Sequence, residues 1–450
     1  MGLLQRADLA RPMLSDTLIV AAGNVAVKAA GFLKLIVAAH LFGTSDAQDA
    51  FLAAFLLPSV IGDIFAATGA PVLIPELLRL RADGRALDAD KLYREALFAG
   101  FSGMCAIAGA LALAAPLIFP ILASGFDTAK TGLTMTLFYC LLPLLLLAGC
   151  NVIWRAVLNT HHRFALAAAA PAVTPLLTLV ILVAVVSQWG IFALAAGTII
   201  GGLAETALLA CAIHRLGYAV LPAWGGSAGN LRSVLSQFVP LLGGSLLLGC
   251  SPLIDNAMAA GLQAGSISVL NFGIKLVTVI TSIGPAAVGT AALPHLAGMA
   301  ARREWQSMRR NIYWFALLIA GVAIPATALL IAFSEPLVRV AFQRGAFTES
   351  ATQAVATVQR YSLLQFPFAV LSALGFRFAA SLRSNDLLLP VAAVGICVTA
   401  AGDYFLSRIL GVAGITLTAT FSQLAMIITL VMLLRRRLAL KSTPFPTNPC

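Results

Sequence analysis

Charge is what this sequence has least of. Asp and Glu number 18 and Lys and Arg 29 in 450 residues, so only 10% of the side chains are charged. Soluble domains carry about 25%, and the shortfall excludes a soluble globular protein and a disordered chain. Alternating ten-residue segments are also missing, which argues against a transmembrane β-barrel. The seven cysteines are few and scattered. Cys105, Cys140, Cys150, Cys211, Cys250 and Cys397 lie in apolar runs at no metal-like spacing, and Cys450 ends the chain. They read as small apolar residues, with no disulfide framework. No Walker loop, HExxH helix or nucleophile elbow occurs. His161 and His162 have no carboxylate nearby in sequence. The expectation is therefore a protein that is not an enzyme and needs no cofactor or metal. The first apolar run follows a polar 17-residue lead and continues too long for a cleaved signal.

What is present is apolar: 60% hydrophobic residues and a mean hydropathy of +0.95. A span needs about 20 apolar residues. Twelve helical spans fit, near 18–42, 50–78, 95–120, 132–158, 165–187, 191–213, 236–260, 266–298, 311–333, 355–380, 387–408 and 412–434. The fold class expected is an all-α polytopic membrane protein. The tail from Pro444 to Cys450 reads as disordered. The net charge of +11 does not point to nucleic acid, because the basic residues sit in short clusters between spans. With the N-terminus inside, nineteen Lys and Arg fall in inside loops, against Lys130, Arg339, Arg344 and Arg408 outside. That bias places both termini in the cytoplasm.

A faint repeat divides the chain. Spans one and two meet at Ala38–Gly43, and span two ends near Leu73-Ile74-Pro75-Glu76-Leu77. Spans seven and eight meet at Ala259–Gly265, and span eight ends near Leu293-Pro294-His295-Leu296. Six spans separate the copies. The expectation is two pseudo-symmetric six-helix lobes, 1–220 and 221–437, around a central cavity, with a tail at 438–450.

Ionisable residues inside a membrane are functional by default, because each costs about 2.5–3.5 kcal/mol at a helix centre. Lys28 and Lys34 lie in span one, Asp63 in span two, Glu205 in span six, Asp255 in span seven and Lys275 in span eight. Arg155 and Arg377 stand nearer the inner ends, where snorkelling is cheap. Lys28 and Lys34 are separated by about 120° around the helix and about 9 Å along it. With Asn24 and Gly31 they form one broad face, suited to the wall of a wet cavity. Three cations around one cavity repel one another when it is empty and favour an anion between them. Asn24, Lys28, Lys34 and Lys275 are thus the candidate substrate contacts. Buried bridges, Lys28 with Asp255 and Lys34 with Asp63, are the structural alternative. Asp63, Asp255 and Glu205 are candidates for charge or ion coupling, and helix packing is the other reading of Glu205. Pro58, Gly62, Gly69 and Pro71 in span two, and Gly284 and Pro285 in span eight, are candidate hinges. They predict broken helices beside a cavity.

Several ordered motifs resemble one family. They include Phe42-Gly43-Thr44-Ser45-Asp46-Ala47-Gln48-Asp49-Ala50-Phe51 followed by Leu57-Pro58 and Ile74-Pro75, and Leu158-Asn159-Thr160-His161-His162-Arg163-Phe164 with Pro171. Further on come Ala264-Gly265-Ser266, Leu293-Pro294, Glu335-Pro336-Leu337, Phe342-Gln343-Arg344-Gly345-Ala346-Phe347-Thr348, and Asp386 with Pro390. Spread over about residues 17–437, they are similar to the MurJ/MviN lipid flippases of the multidrug/oligosaccharidyl-lipid/polysaccharide exporter superfamily. The resemblance implies a two-lobe flippase in the bacterial inner membrane, and two lobes in one chain make a monomer sufficient. It would move an undecaprenyl-pyrophosphate-linked saccharide through a cationic cavity. Lys28, Lys34 and Lys275 fall where the family places substrate-binding arginines, and Asp255 matches a common acidic position. Lysine cannot make arginine's bidentate fork to a diphosphate. Gly62-Asp63 stands where the family has a basic pair, and the chain given ends after the twelfth span, where lipid II flippases carry two more. A related exopolysaccharide or envelope glycan precursor is therefore expected beside lipid II as substrate. The competing classes are an ion-coupled drug antiporter, which the lysines disfavour, and a non-transporting scaffold for glycan assembly.

Overall fold

The computed structural model describes residues 2–223, 228–281, 305–381 and 387–442, and over them the chain is helical. The first half comprises α1 (Gly2–Phe42), α2 (Asp46–Ala82), α3 (Ala86–Leu122), α4 (Thr128–Leu141), α5 (Pro143–Thr160), α6 (Phe164–Ala169), α7 (Val173–Trp189) and α8 (Phe192–Arg215). The second half comprises α9 (Ala228–Ala260), α10 (Ser266–Thr281), α11 (Trp305–Ala332), α12 (Ser334–Phe342), α13 (Glu349–Leu363), α14 (Phe366–Ser381), α15 (Leu388–Leu410) and α16 (Val412–Ser442). Among the described residues, ten segments are long and apolar enough to cross a membrane, and Ser266–Val279 is a shorter apolar helix. The protein is an all-α polytopic membrane protein. In lipid the backbone must satisfy its own hydrogen bonds, and helices do so.

Two compact units emerge: Met1–Gly249 with Arg344–Phe347, and Cys250–Gln343 with Thr348–Cys450. In the first, α2 packs on α4 and α5, α3 on α5, α7 on α8, and α1 on α6 and α7. Its core gathers Leu77, Leu80, Leu92, Tyr93, Leu97, Trp154 and Val157 with Leu231 and Val234 of α9. In the second, α15 packs on α16, α10 and α14 on α13 and α16 respectively, and α11 on α14.

Each unit contains a hairpin that turns on a glycine. Gly190 (φ 53°) joins α7 to α8 and Gly411 (φ 59°) joins α15 to α16. Gly190 donates to Val186 O and accepts from Ala193; Gly411 donates to Ser407 O and accepts from Gly414. Only glycine takes this left-handed backbone without cost.

The helix interruptions differ from those read in the sequence. Span two is one continuous helix through Pro58, Pro71 and Pro75. Two hydroxyls on this helix bond back to its own backbone, Ser59 to Leu56 O at 2.9 Å and Thr68 to Ile64 O at 2.8 Å. Among the described residues, breaks come at Leu142–Pro143, which divides the fourth span into α4 and α5, and at the 3₁₀ turn Ala170–Ala172 around Pro171. Leu364 and Gln365 likewise separate α13 from α14.

Candidate functional site

The first unit contains a cavity of about 530 Å³ between α1, α2, α5 and the start of α6. Its α2 wall is the stripe Ala66, Ala70, Ile74 and Leu78, which recurs every four residues and so lies on one helix face. Two alanines in that stripe keep the space open. Its other side carries Asn24, Arg155, Asn159 and His162. α1 is held at the rear, where Gly23 sits so close to Ala168 that a Cβ would come within 2.7 Å of its methyl carbon.

Asn24, the first predicted contact, lines this cavity and is exposed. Lys28 lies one turn further along the same face of α1 and is also exposed. Lys34 is half-buried, with Nζ 5.7 Å from the centre of the Phe55 ring, a cation–π contact with α2. Lys275 belongs to the second unit, exposed on α10. Of the hinge candidates, Pro58 is buried, Gly62 and Gly69 are half-buried and Pro71 is exposed, all inside the unbroken α2. Gly69 packs on Val152 of α5. Gly284 and Pro285, and the tail from Pro444, lie outside the described residues.

The three acidic candidates separate. Asp63 is exposed on α2. Glu205 is buried on α8, and its carboxylate accepts the Thr174 hydroxyl of α7 at 2.7 Å. Asp255 on α9 is half-buried and faces Asp403 on α15, within the second unit. Asp403 is fully buried, and no hydrogen bond of normal geometry reaches either of its carboxylate oxygens among the described residues. The Thr418 side chain of α16 packs on the adjacent Gly402. Among the described residues no group of three or more His, Cys, Asp or Glu is placed to hold a metal ion.

Sequence reasoning missed Asp403, although an aspartate inside an apolar span was signal enough. It also set Arg155 aside as a snorkelling residue. The partners of His161 were invisible because they are distant in sequence. Arg81 of α2 approaches His161 Nδ1 at 3.0 Å and donates to the Tyr218 hydroxyl, which lies 3.4 Å from His161 Nε2. Tyr93 packs edge-on against Tyr218 and donates to Ala219 O at 2.6 Å. Burial, followed by the Arg81 and Arg163 guanidinia and His162, pushes the His161 imidazole below its ordinary value.

A family model for the lipid II flippase MurJ matches residues 38–445. The chain belongs to the MurJ family. Curated relatives of this MurJ-family chain include a probable lipid II flippase MurJ of Bdellovibrio bacteriovorus, 25% identical over 95% of this chain and 83% of that protein. Another, from Vibrio cholerae, is 26% identical over 81% of this chain and 71% of its own length. The lipid II flippase MurJ of Burkholderia cenocepacia is 24% identical over 86% and 77%. The fold is similar to that of MurJ in an inward closed conformation, with a TM-score of 0.79 at 17% identity over 93% of this chain and 87% of that one. It is also similar to an inward-facing multidrug resistance MATE family transporter of the MOP superfamily, with a TM-score of 0.76 at 13% identity over 93% and 96%.

Proposed function

We propose that this MurJ-family protein is a flippase for a polyprenyl-diphosphate-linked saccharide, lipid II or a related envelope glycan precursor. It works by alternating access in the bacterial inner membrane, as a monomer with both termini in the cytoplasm. The observation that carries this reading is the basic and amide face of α1. Asn24 and Lys28 are exposed on it, and Asn24 opens into a cavity in the first unit. Lys34 and Lys275 are the further diphosphate contacts, and two six-helix lobes provide the alternating access. An anion offsets the mutual repulsion of these cations, whereas a cationic drug adds to it.

Cation coupling is the finer part of the proposal. Two carboxyls that face one another in a buried setting repel, and a proton or monovalent cation between them turns the repulsion into attraction. Asp255 and Asp403, with the Thr418 hydroxyl nearby, supply that setting. Membrane potential acts on any charge that moves, at about 2.3 kcal/mol per charge per 100 mV.

The test is complementation of a cell depleted of its own lipid II flippase, with wild type and Lys34→Ala expressed side by side. Rescue by wild type alone is expected if lipid II is carried. If wild type is inserted and does not rescue, the lipid II assignment fails, and flipping of other polyprenyl-diphosphate saccharides in vesicles decides the class. Equal rescue by both proteins overturns the role of Lys34.

A further inference from the structure

We propose that the cavity between α1, α2 and α5 is a loading subsite for an amphiphilic diphosphate, with Arg155 as its anion contact. The inference rests on the flippase reading above and adds a place and a residue to it.

Arg155 is the unusual group. Its Nε donates to Asn151 O at 3.3 Å, inside its own helix. Among the described residues no carboxylate lies within ion-pair distance of its guanidinium and no other hydrogen bond engages it. This half-buried guanidinium lines a cavity with one long hydrogen bond to its own helix and no counter-ion among the described residues. An anionic ligand supplies the missing partner. Arginine's planar fork suits two phosphate oxygens at once, which a lysine cannot do. Arg155 therefore supplies the bidentate contact that Lys28 and Lys34 lack.

The surroundings specify the rest of the ligand. Asn159 lies one turn from Arg155 on α5, and Asn24 reaches the same space from α1. Both amides can donate to further phosphate oxygens. The facing α2 wall, Ala66, Ala70, Ile74 and Leu78, is wholly apolar. A charged, amide-lined side opposite a hydrocarbon wall fits a diphosphate joined to an isoprenoid better than a free sugar phosphate. Lys28 stands four residues beyond Asn24, a rise of about 6 Å. A diphosphate released by Arg155 thus meets its next cation one helical turn along α1.

Binding to the purified protein in phosphatidylcholine nanodiscs tests the proposal, with farnesyl diphosphate as the probe. Farnesol, inorganic pyrophosphate and nanodiscs containing phosphatidylglycerol serve as the comparison arms. Wild type should bind farnesyl diphosphate well above farnesol and inorganic pyrophosphate. Arg155→Gln should weaken it about tenfold or more, the usual scale for a lost charged hydrogen bond. Ala70→Leu, which fills the apolar wall and leaves every charge in place, should weaken it as well. Thermal unfolding of both variants guards against misfolding. Gly132→Ala, which has open space around it and lies outside the cavity, should keep binding, and Lys34→Gln should lose flipping. Unchanged binding in folded Arg155→Gln and Ala70→Leu overturns the subsite. If Lys34→Gln still abolishes flipping in that case, the flippase reading survives. Equal affinity for inorganic pyrophosphate overturns the amphiphile assignment, and displacement of the probe by phosphatidylglycerol assigns the site to bilayer lipid instead. If wild type binds farnesyl diphosphate no better than farnesol and Lys34→Gln flips normally, the flippase reading fails too.

Discussion

Thr174 and Glu205 join α7 to α8 through a 2.7 Å hydrogen bond, with the Glu205 carboxylate buried. A hydroxyl donor is the group that lets a buried carboxylate stay in an apolar interface. Thr174→Val should therefore destabilise the hairpin by about 1 kcal/mol, read as a lower Tm in detergent. Glu205→Gln, which keeps an acceptor for Thr174, should retain both Tm and flipping. Loss of flipping at unchanged Tm would instead make Glu205 an ion-coupling residue.

The same interface depends on two glycines four residues apart. A Cβ on Gly201 would lie 2.5 Å from Thr174 O, and one on Gly197 would lie 3.0 Å from Thr178 O. Both obstacles are backbone atoms, so neither can rotate away. Small residues at this spacing let helices approach closely in a membrane. Gly201→Ala should cost about 1–3 kcal/mol, measured as lower yield and Tm, whereas Gly132→Ala, with open space around it, should be neutral.

At the α1 face, charge and fork geometry can be separated. Lys34→Gln should lower flipping about tenfold or more with the fold intact. Lys34→Arg keeps the charge and adds bidentate donors, so it should retain flipping. A vesicle assay in which Lys34→Gln matches wild type would remove Lys34 from the site.

His161 predicts a pH dependence. Its folded-state pKa is depressed, so the unfolded chain binds the proton more readily. The stability contribution is present above the unfolded value of about 6.5 and is lost as pH falls through the lower folded value. Thermal stability should drop on acidification below about pH 6.5. His161→Gln should flatten that part of the profile, and an unchanged slope would show that another group is responsible.

For the second unit, Asp403→Asn should fold, because it removes a buried charge that no hydrogen bond of normal geometry reaches among the described residues. It should also abolish any dependence of flipping on a sodium or proton gradient. Gradient-driven flipping that survives the substitution would exclude the Asp255–Asp403 pair as the coupling site.

Hydropathy made the spans legible, since about 20 apolar residues have few other uses. The intramembrane charges were legible for the same reason: Lys28, Lys34, Asp255 and Lys275 stand out in runs that contain almost nothing polar. Helix continuity was not legible. Pro58 and Pro71 looked like breaks, yet α2 runs through them, whereas Pro143 and Pro171 mark the actual interruptions. Proline states a cost, and the packing of neighbouring helices decides whether the cost bends or breaks the helix.

The sequence alone therefore determined that this is an all-α membrane chain, because apolar run length and charge scarcity are one-dimensional properties. It also marked which charges are out of place. Only the tertiary structure decided what each one meets. Glu205 finds Thr174, Asp255 faces Asp403, His161 lies between Arg81 and Tyr218, and Arg155 opens into a cavity. A charge inside a membrane takes its role from whichever groups surround it. Those groups come from helices tens to more than a hundred residues away, a pairing that no local pattern encodes.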